Sequence, residues 1–319
     1  MATPAAVQTA KVKAPAQTGD IVARFVVLFF AVVLLALAVL LVIELFIGSA
    51  AARHSLGWGF LTSSKWNPVS EEFGALPFIY GTVITSSVAL LLSIPFGVGA
   101  AIFLSELAPA GVSNALTFVI ELLAAIPSVI YGLLAIFTLV PLMRTTIEPA
   151  LKAAFGFLPF FQGPALGVGY LTAGLVLAIM TIPFIISVSR ESLLAVPRDQ
   201  REAALALGAT KWETTWQIVV PYAKLGILGS IFLGLARALG ETMAVTMVIG
   251  NDPRVHASLL ASGYSIAAVI ANEFAEANGT IHPAALIELG LVLFGVTVVI
   301  NAFARLMIIA TTKKGSKRP

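Results

Sequence analysis

The chain has 319 residues, of which 59% are hydrophobic and 11% charged, with a formal net charge of +3 and no cysteine. A mean hydropathy of +0.99 is far above what one soluble core of this length requires, which excludes a soluble globular protein. The lack of cysteine excludes disulfides and thiolate metal sites. The solvent of most of this chain is therefore lipid.

Six long apolar stretches follow one another along the sequence. The first holds nineteen uncharged residues between Arg24 and Glu44, enough at roughly 1.5 Å per residue to cross a ~30 Å hydrocarbon layer. It exceeds the ~7–15 residues of a signal peptide's apolar region, so we interpret it as a retained helix. The others cover 78–104, 116–140, 166–189, 225–249 and 284–309. Barrel strands alternate polar and apolar residues and are about half as long. The predicted fold class is an all-α integral membrane protein with about six transmembrane helices.

Basic residues are distributed unequally between the connecting segments. With the N-terminus inside, 13 Lys and Arg residues fall in inner segments and 5 in outer segments. Basic residues are retained on the cytoplasmic side, so both termini are predicted to be cytoplasmic. This asymmetry accounts for the pI of about 9.2, and we expect membrane lipid, not nucleic acid, as a partner.

The long inner loop carries a helix–turn–helix pattern, residues 197–221, which we call the knob. Pro197 suits the start of a helix, and the residues that follow are good helix formers. Ala203 and Ala204 are small enough for another protein to approach the backbone closely. Gly208 ends the helix because glycine accepts a positive φ.

A second short helix is predicted to begin directly after that turn. Thr210 can accept a hydrogen bond at its N-terminus, and Glu213 stands three residues later, the spacing of a capping box. The knob should therefore be compact and face the cytoplasm.

At these residues the chain resembles the permease subunits of ABC importers, whose cytoplasmic loop has the pattern E-A-A-x3-G-x9-I-x-L-P. The matching positions are Glu202, Ala203, Ala204, Gly208, Ile218 and Pro221. Val220 stands where the family commonly has Leu. The resemblance implies a type I ABC importer permease fold in which these residues couple the chain to a separate ATPase subunit.

The chain lacks the motifs of an enzyme. No G-x-x-x-x-G-K-[ST] phosphate loop occurs, so ATP and Mg are expected on the partner ATPase and no cofactor on this chain. The three histidines fall in predicted outer loops, and we predict neither catalytic residues nor a metal site.

Four ionisable residues fall inside predicted spans, where each costs roughly 2.5–3.5 kcal/mol at a helix centre. Glu121 and Glu288 are interpreted as members of structural ion pairs. Arg237 is the candidate for the substrate pathway, because guanidinium is always charged and its forked donors match phosphate or carboxylate oxygens. Glu241, four residues later, is predicted on the same helical face, where it could pair with Arg237 until the anion displaces it.

The sequence around Arg237 indicates which group of ABC importer permeases the chain resembles. Residues 234–251, GLARALGETMAVTMVIGN, and residues 271–277, ANEFAEA, are similar to PstC-type permeases of phosphate-specific ABC importers. That family implies a PstA-type second permease, two ATPase subunits and an extracytoplasmic phosphate-binding protein, assembled in the bacterial plasma (inner) membrane. The function implied is a permease subunit for ATP-driven import of inorganic phosphate. An ion-coupled secondary transporter or channel for an oxyanion is the alternative.

Small residues accompany Arg237 along its helix. Gly234 and Ala238 permit close helix approach, and we expect them to face the partner permease together with Arg237. Pro95, Pro127 and Pro183 are expected to bend the second, third and fourth spans.

These features divide the chain into four parts. Residues 1–20 form a flexible cytoplasmic tail, and residues 21–75 form the first transmembrane helix with an outer segment. Residues 76–312 form the ABC permease transmembrane domain, with its cytoplasmic coupling loop at 190–224. Residues 313–319 form a basic cytoplasmic tail.

Overall fold

The computed structural model describes residues 18–315, and its regular structure there is helical apart from two isolated bridges. Six helices are long and apolar enough to cross a membrane, as predicted. They are Gly19–Gly48, Leu76–Leu107, Ser128–Phe155, Tyr170–Leu194, Lys211–Gly240 and Ile281–Phe303. The all-α fold with six spans is therefore confirmed, and the chain is a multi-pass membrane protein.

Several of these spans consist of shorter helices joined end to end. In chain order the α-helices are α1 Thr18–Gly48, α2 Ala50–Leu56, α3 Gly59–Thr62, α4 Leu76–Ile102, α5 Ala110–Ala125, α6 Ser128–Leu134, α7 Val140–Leu142, α8 Glu148–Phe155, α9 Tyr170–Leu194, α10 Arg198–Ala206, α11 Lys211–Thr214, α12 Val220–Gly240, α13 Met243–Val248, α14 Ile266–Glu273 and α15 Ile281–Gly315. The π-helical turns are Phe103–Leu107, Ala135–Leu139, Met143–Ile147 and Thr215–Val219.

The chain forms two compact units, one ending at Ile47 and one beginning at Gly48. The first consists of α1, an unbroken apolar helix whose side chains are exposed throughout residues 19–41. Most of the predicted N-terminal tail lies outside the described residues, but residues 18–20 already belong to α1. Of the predicted C-terminal tail, residues 313–315 continue α15 and the remainder is not described.

In the second unit, α4, α9 and α12 pack tightly against one another. A Cβ on Gly174 of α9 would lie 2.5 Å from Val88 of α4, so glycine permits this close approach. The α12 helix joins α9 through a 2.7 Å hydrogen bond between the buried hydroxyls of Ser189 and Ser230. A second apolar cluster, around Phe60, forms where α2, α3, α4, α14 and α15 meet. Small residues and buried hydroxyl pairs thus hold these spans together, as expected where lipid removes the hydrophobic driving force between helices.

The predicted third span, 116–140, had the wrong boundaries. α5 ends at Ala125, and the spanning helix runs from Ser128 to Phe155. Pro127 causes the break because it lacks a backbone N–H and holds the preceding residue, Ile126, in an extended conformation with ψ of 129°.

Residues 141–165, which separate the predicted third and fourth spans, were expected to form an outer loop, but their first half is helical. Arg144, Glu148 and Lys152 stand four residues apart, a spacing that suits one face of a helix.

Candidate functional site

The fifth span is interrupted next to Arg237. α12 ends at Gly240, Glu241 is extended with ψ of 125°, and α13 begins at Met243. Glu241 therefore does not lie on the same helical face as Arg237, contrary to the prediction. Its carboxylate instead accepts a 3.4 Å hydrogen bond from the Ala244 N–H in the first turn of α13, where an acidic group is favourable. The sequence signal for this break was Gly240, a weak helix former, followed by an acidic residue.

Arg237 is exposed on the surface of the second unit. Within residues 18–315 it makes no hydrogen bond and no ion pair, and it does not pair with Glu241. The group that it influences electrostatically is the hydroxyl of Tyr131 in α6. A cation without a partner inside a transmembrane segment requires either a second subunit or a water-filled pathway beside it.

The two interrupted helices meet at this place. A Cβ on Gly132 of α6 would lie 3.1 Å from the Ala244 Cα of α13, so the helices that begin after each break touch. The Tyr131 hydroxyl donates a 2.8 Å hydrogen bond back across the Pro127 break to the carbonyl of Leu123. In membrane proteins such discontinuous helices are typical of ion and substrate sites, because they expose backbone groups at membrane depth.

The small residues of α12 face the interior of this chain. Gly234 is buried, and a Cβ there would lie 3.1 Å from Ile185 of α9. Ala238 is buried as well. The expectation that these two residues face a partner permease is therefore wrong. The face of α12 that is exposed with Arg237 carries Leu233, Ala236 and Gly240.

The knob has the predicted helix–turn–helix structure. Its first helix, α10, ends before Gly208, which has a φ of +89°. Thr210 and Glu213 form the predicted capping box, with the Thr210 N–H donating to Glu213 Oε2 at 2.7 Å and the Glu213 N–H donating to Thr210 Oγ1 at 3.2 Å. The turn between the two helices of the knob is therefore fixed by the conformation of Gly208 and by the capping box.

The motif residues of the knob divide between its surface and its base. Glu202, Ala203, Gly208 and Pro221 are exposed, Ile218 is half-buried, and Ala204 is buried. Large apolar side chains accompany them at the surface, among them Leu207, with 90% of its area exposed, and Trp212, with 57%. Large apolar side chains that no described residue covers are typical of a protein interface.

Arg201 is a residue of the knob that the sequence did not single out. Its guanidinium forms a bidentate ion pair with Glu106, through Nε to Oε2 at 3.1 Å and Nη2 to Oε1 at 2.9 Å. It also donates to the carbonyls of Leu193 and Val196 at the end of α9. The 95 residues between the two charges explain why no local pattern predicts the pair.

The segment 271–277 contributes to a polar cluster at the N-terminal end of α15. Glu273 accepts hydrogen bonds from Trp66 Nε1 at 2.9 Å and from His282 Nε2 at 3.2 Å.

The loop before α14 carries a second charged carboxylate. The hydrogen bond from Arg254 lowers the pKa of Asp252, which keeps that carboxylate charged. Among the described residues no group of three or more His, Cys, Asp or Glu side chains could hold a metal ion.

Glu121 and Glu288 lie in different surroundings. Glu121 is exposed and lines a small cavity with Arg190. Glu288 is buried and lines a cavity of about 850 Å³ with Arg53. Their interpretation as members of structural ion pairs stays a prediction.

Six spans, two interrupted helices that meet beside an arginine without a partner in the described part of the chain, and an exposed apolar knob define a multi-pass membrane permease of the transport class. Residues 93–309 match the profile of the binding-protein-dependent transport system inner membrane component family. The chain belongs to this family of inner-membrane permeases.

Its relatives support this assignment. The phosphate transport system permease protein PstC of Mesorhizobium japonicum is 48% identical over 83% of each chain. That of Pasteurella multocida is 47% identical, covering 91% of this chain and 92% of its own. A probable PstC of Methanocaldococcus jannaschii is 35% identical over 80% of this chain and 83% of its own. Within its family the chain is therefore of the PstC type.

Two solved structures share the fold. One is a bacterial alginate ABC transporter in complex with an alginate pentasaccharide-bound periplasmic protein, with a TM-score of 0.59, 18% identity and coverage of 90% of this chain and 95% of the other. The other is the inward-facing MetNI methionine ABC transporter, with a TM-score of 0.56, 15% identity and coverage of 77% and 99%. At these identities the likeness confirms the type I importer permease fold alone.

Proposed function

We propose that the chain is the transmembrane permease subunit of an ATP-driven importer of inorganic phosphate. It forms half of the translocation pathway and docks an ATPase subunit through the knob. The observation that carries the proposal is Arg237, whose guanidinium has no partner among residues 18–315 and lies beside two broken helices. The relatives of the chain are named as phosphate transport permeases.

Arg237 suits an anion in passage. Its planar fork can bind two oxygens of phosphate, and repulsion between a dianion and the nearby Glu241 would reach several kcal/mol at an effective dielectric of about 20 without a compensating cation. Glu241 lies one residue beyond the helix end and is only partly exposed. Movement of the short α12–α13 connection would bring the carboxylate to Arg237 after the anion leaves, which prevents the site from holding phosphate too tightly.

The remaining subunits follow from the family. A PstA-type permease would cover the exposed face of α12, and two ATPase subunits would bind ATP and Mg and contact the knob. A phosphate-binding protein would deliver the anion from outside, with both termini of this chain in the cytoplasm. The exposed apolar side chains of the knob support the ATPase contact.

An ion-coupled transporter or channel for an oxyanion is the second candidate, favoured by the two interrupted helices. Uptake of labelled phosphate in cells that lack this chain, with and without the restored gene and with sulfate as the control anion, tests the substrate. ATP depletion at constant membrane potential then separates the two energy sources. Restored uptake of sulfate but not phosphate, or phosphate uptake that continues without ATP, contradicts the proposal.

A further inference from the structure

Besides apolar packing at its base, the knob is joined to the transmembrane helices by the guanidinium of Arg201. Arg201 lies in α10, whereas its ion-pair partner Glu106 lies in the π-helical turn that ends the second span. The same guanidinium donates to Leu193, at 2.8 Å, and to Val196, both at the end of the fourth span. One group thus connects α10 to the preceding end of α9 and to a turn 95 residues away in the sequence.

The environment of this pair makes it mechanically stiff. The side chains of Arg201 and Glu106 are only 19% and 9% exposed. Arginine offers a rigid fork, and a bidentate pair fixes orientation as well as distance, which the ammonium of lysine does not. Four bonds on one guanidinium leave α10 little freedom to rotate independently of the span ends.

The ends of the second and fourth spans, to which Arg201 bonds, are also connected to each other through Ser113. The Ser113 hydroxyl at the start of α5 donates to the carbonyl of Leu104 at 2.8 Å, and Arg190 of α9 donates to Ser113 at 3.5 Å. α10 also packs against the π-helical turn Thr215–Val219. A force applied to α10 therefore reaches the ends of the second and fourth spans together.

We infer that Arg201 is a positioning residue that transmits movement of the knob to α4 and α9 through Glu106. The inference rests on the proposed docking of the knob to an ATPase subunit. Because α4 and α9 pack along their lengths, displacement of their common end tilts both helices toward or away from the pathway beside Arg237. Without the connection, the ATPase would still dock on the exposed surface of the knob, but its closure would no longer be converted into transport.

The test measures docking and coupling separately in the complete complex. The complex is purified through a tag on this chain, and retained ATPase subunit is quantified. In proteoliposomes with the binding protein and phosphate, ATP hydrolysed per phosphate imported is then determined. The variants are Glu106→Gln, Arg201→Lys and the double change Glu106→Met with Arg201→Met. The double change removes both charges, since apolar replacement of a buried ion pair is often neutral for stability. Lys65→Gln, which breaks the exposed Lys65–Glu72 pair, is the matched control.

We expect all three variants to retain the ATPase subunit and to hydrolyse about fivefold or more ATP per phosphate imported, within the usual range of coupling between sites. The control should match the unmodified complex. Coupling that stays unchanged in the double variant overturns the inference, and so does loss of assembly in that variant, because the pair would then only maintain the fold. An unmodified chain that retains no ATPase subunit refutes instead the proposed docking on which the inference rests.

Discussion

The surroundings of Arg237 differ from those predicted from the sequence. A guanidinium within a transmembrane span is costly, yet Arg237 is exposed and has no hydrogen-bond or ion-pair partner among residues 18–315. The resting-state pair predicted with Glu241 is absent from this structure, because the helix ends between them. The cost must therefore be offset outside this chain, by water, by the anion or by a second subunit.

Substitution of Arg237 should impair transport without affecting folding, since the side chain makes no contact that stabilises the described part of the chain. Arg237→Ala should abolish phosphate uptake, and Arg237→Lys should reduce it by about tenfold or more, since an ammonium loses the bidentate geometry. Uptake is measured at matched protein abundance in the membrane. Leu37→Ala, at an exposed leucine of α1, is the control and should transport normally. Normal uptake by Arg237→Ala would remove this residue from the pathway.

The knob illustrates what can be derived at the scale of an element. Its helix end, its turn and its capping box depend on neighbours within a few residues, and each was predicted correctly from glycine conformation and side-chain capping. Its attachment through Arg201 to Glu106 depends on a distant residue and was not predicted. Local chemistry shapes the knob, whereas a long-range contact fixes its orientation.

Gly208 should be required because its backbone conformation favours glycine, and not because a larger side chain would collide with a neighbour. Its φ of +89° strains other residues by roughly 1–3 kcal/mol, although a Cβ there would meet no atom within 4 Å. Gly208→Val should lower ATPase association and ATP-dependent uptake, whereas Gly208→Asn should retain more of both, because asparagine tolerates positive φ better. Co-purification and uptake measure the two effects. Equal behaviour of Val and Asn would show that backbone conformation is not the reason.

At the scale of the whole molecule, close backbone contacts decide how the spans assemble. A Cβ on Gly81 of α4 would lie 2.0 Å from the carbonyl oxygen of Tyr264. One residue further on, Thr82 Oγ1 accepts a 3.0 Å hydrogen bond from the Ile266 N–H, so α4 is fixed to the start of α14 at this point.

Gly81→Ala should therefore destabilise the protein by about 1–3 kcal/mol, the usual cost of overpacking. Gly99→Ala in the same helix is the control, because a Cβ there meets no atom within 4 Å. Thermal unfolding of the detergent-solubilised protein, followed by size-exclusion chromatography, measures the difference. Equal midpoints for the two variants would contradict the close contact at Gly81.

The exposed face of α12 should be the surface that meets the pathway or the second permease. The chain has no native cysteine, so single cysteines report cleanly. Ala236→Cys and Gly240→Cys should react with water-soluble thiol reagents or cross-link to the partner permease, whereas Ala238→Cys, buried against the chain's own helices, should do neither. The reverse pattern would show that α12 is rotated relative to this structure.

The sequence by itself determined the membrane environment, the number of spans and the local structure of the knob, whereas the role of Arg237 stays a prediction. Each of these follows from composition, run length or neighbours within one helical turn, which act without knowledge of the fold. Only the tertiary structure decided the break at Glu241, the inward direction of Gly234 and Ala238, and the attachment of Arg201 to Glu106. A uniformly apolar helix carries no pattern that tells its lipid face from its packed face, so helix packing alone settles the direction of each side chain.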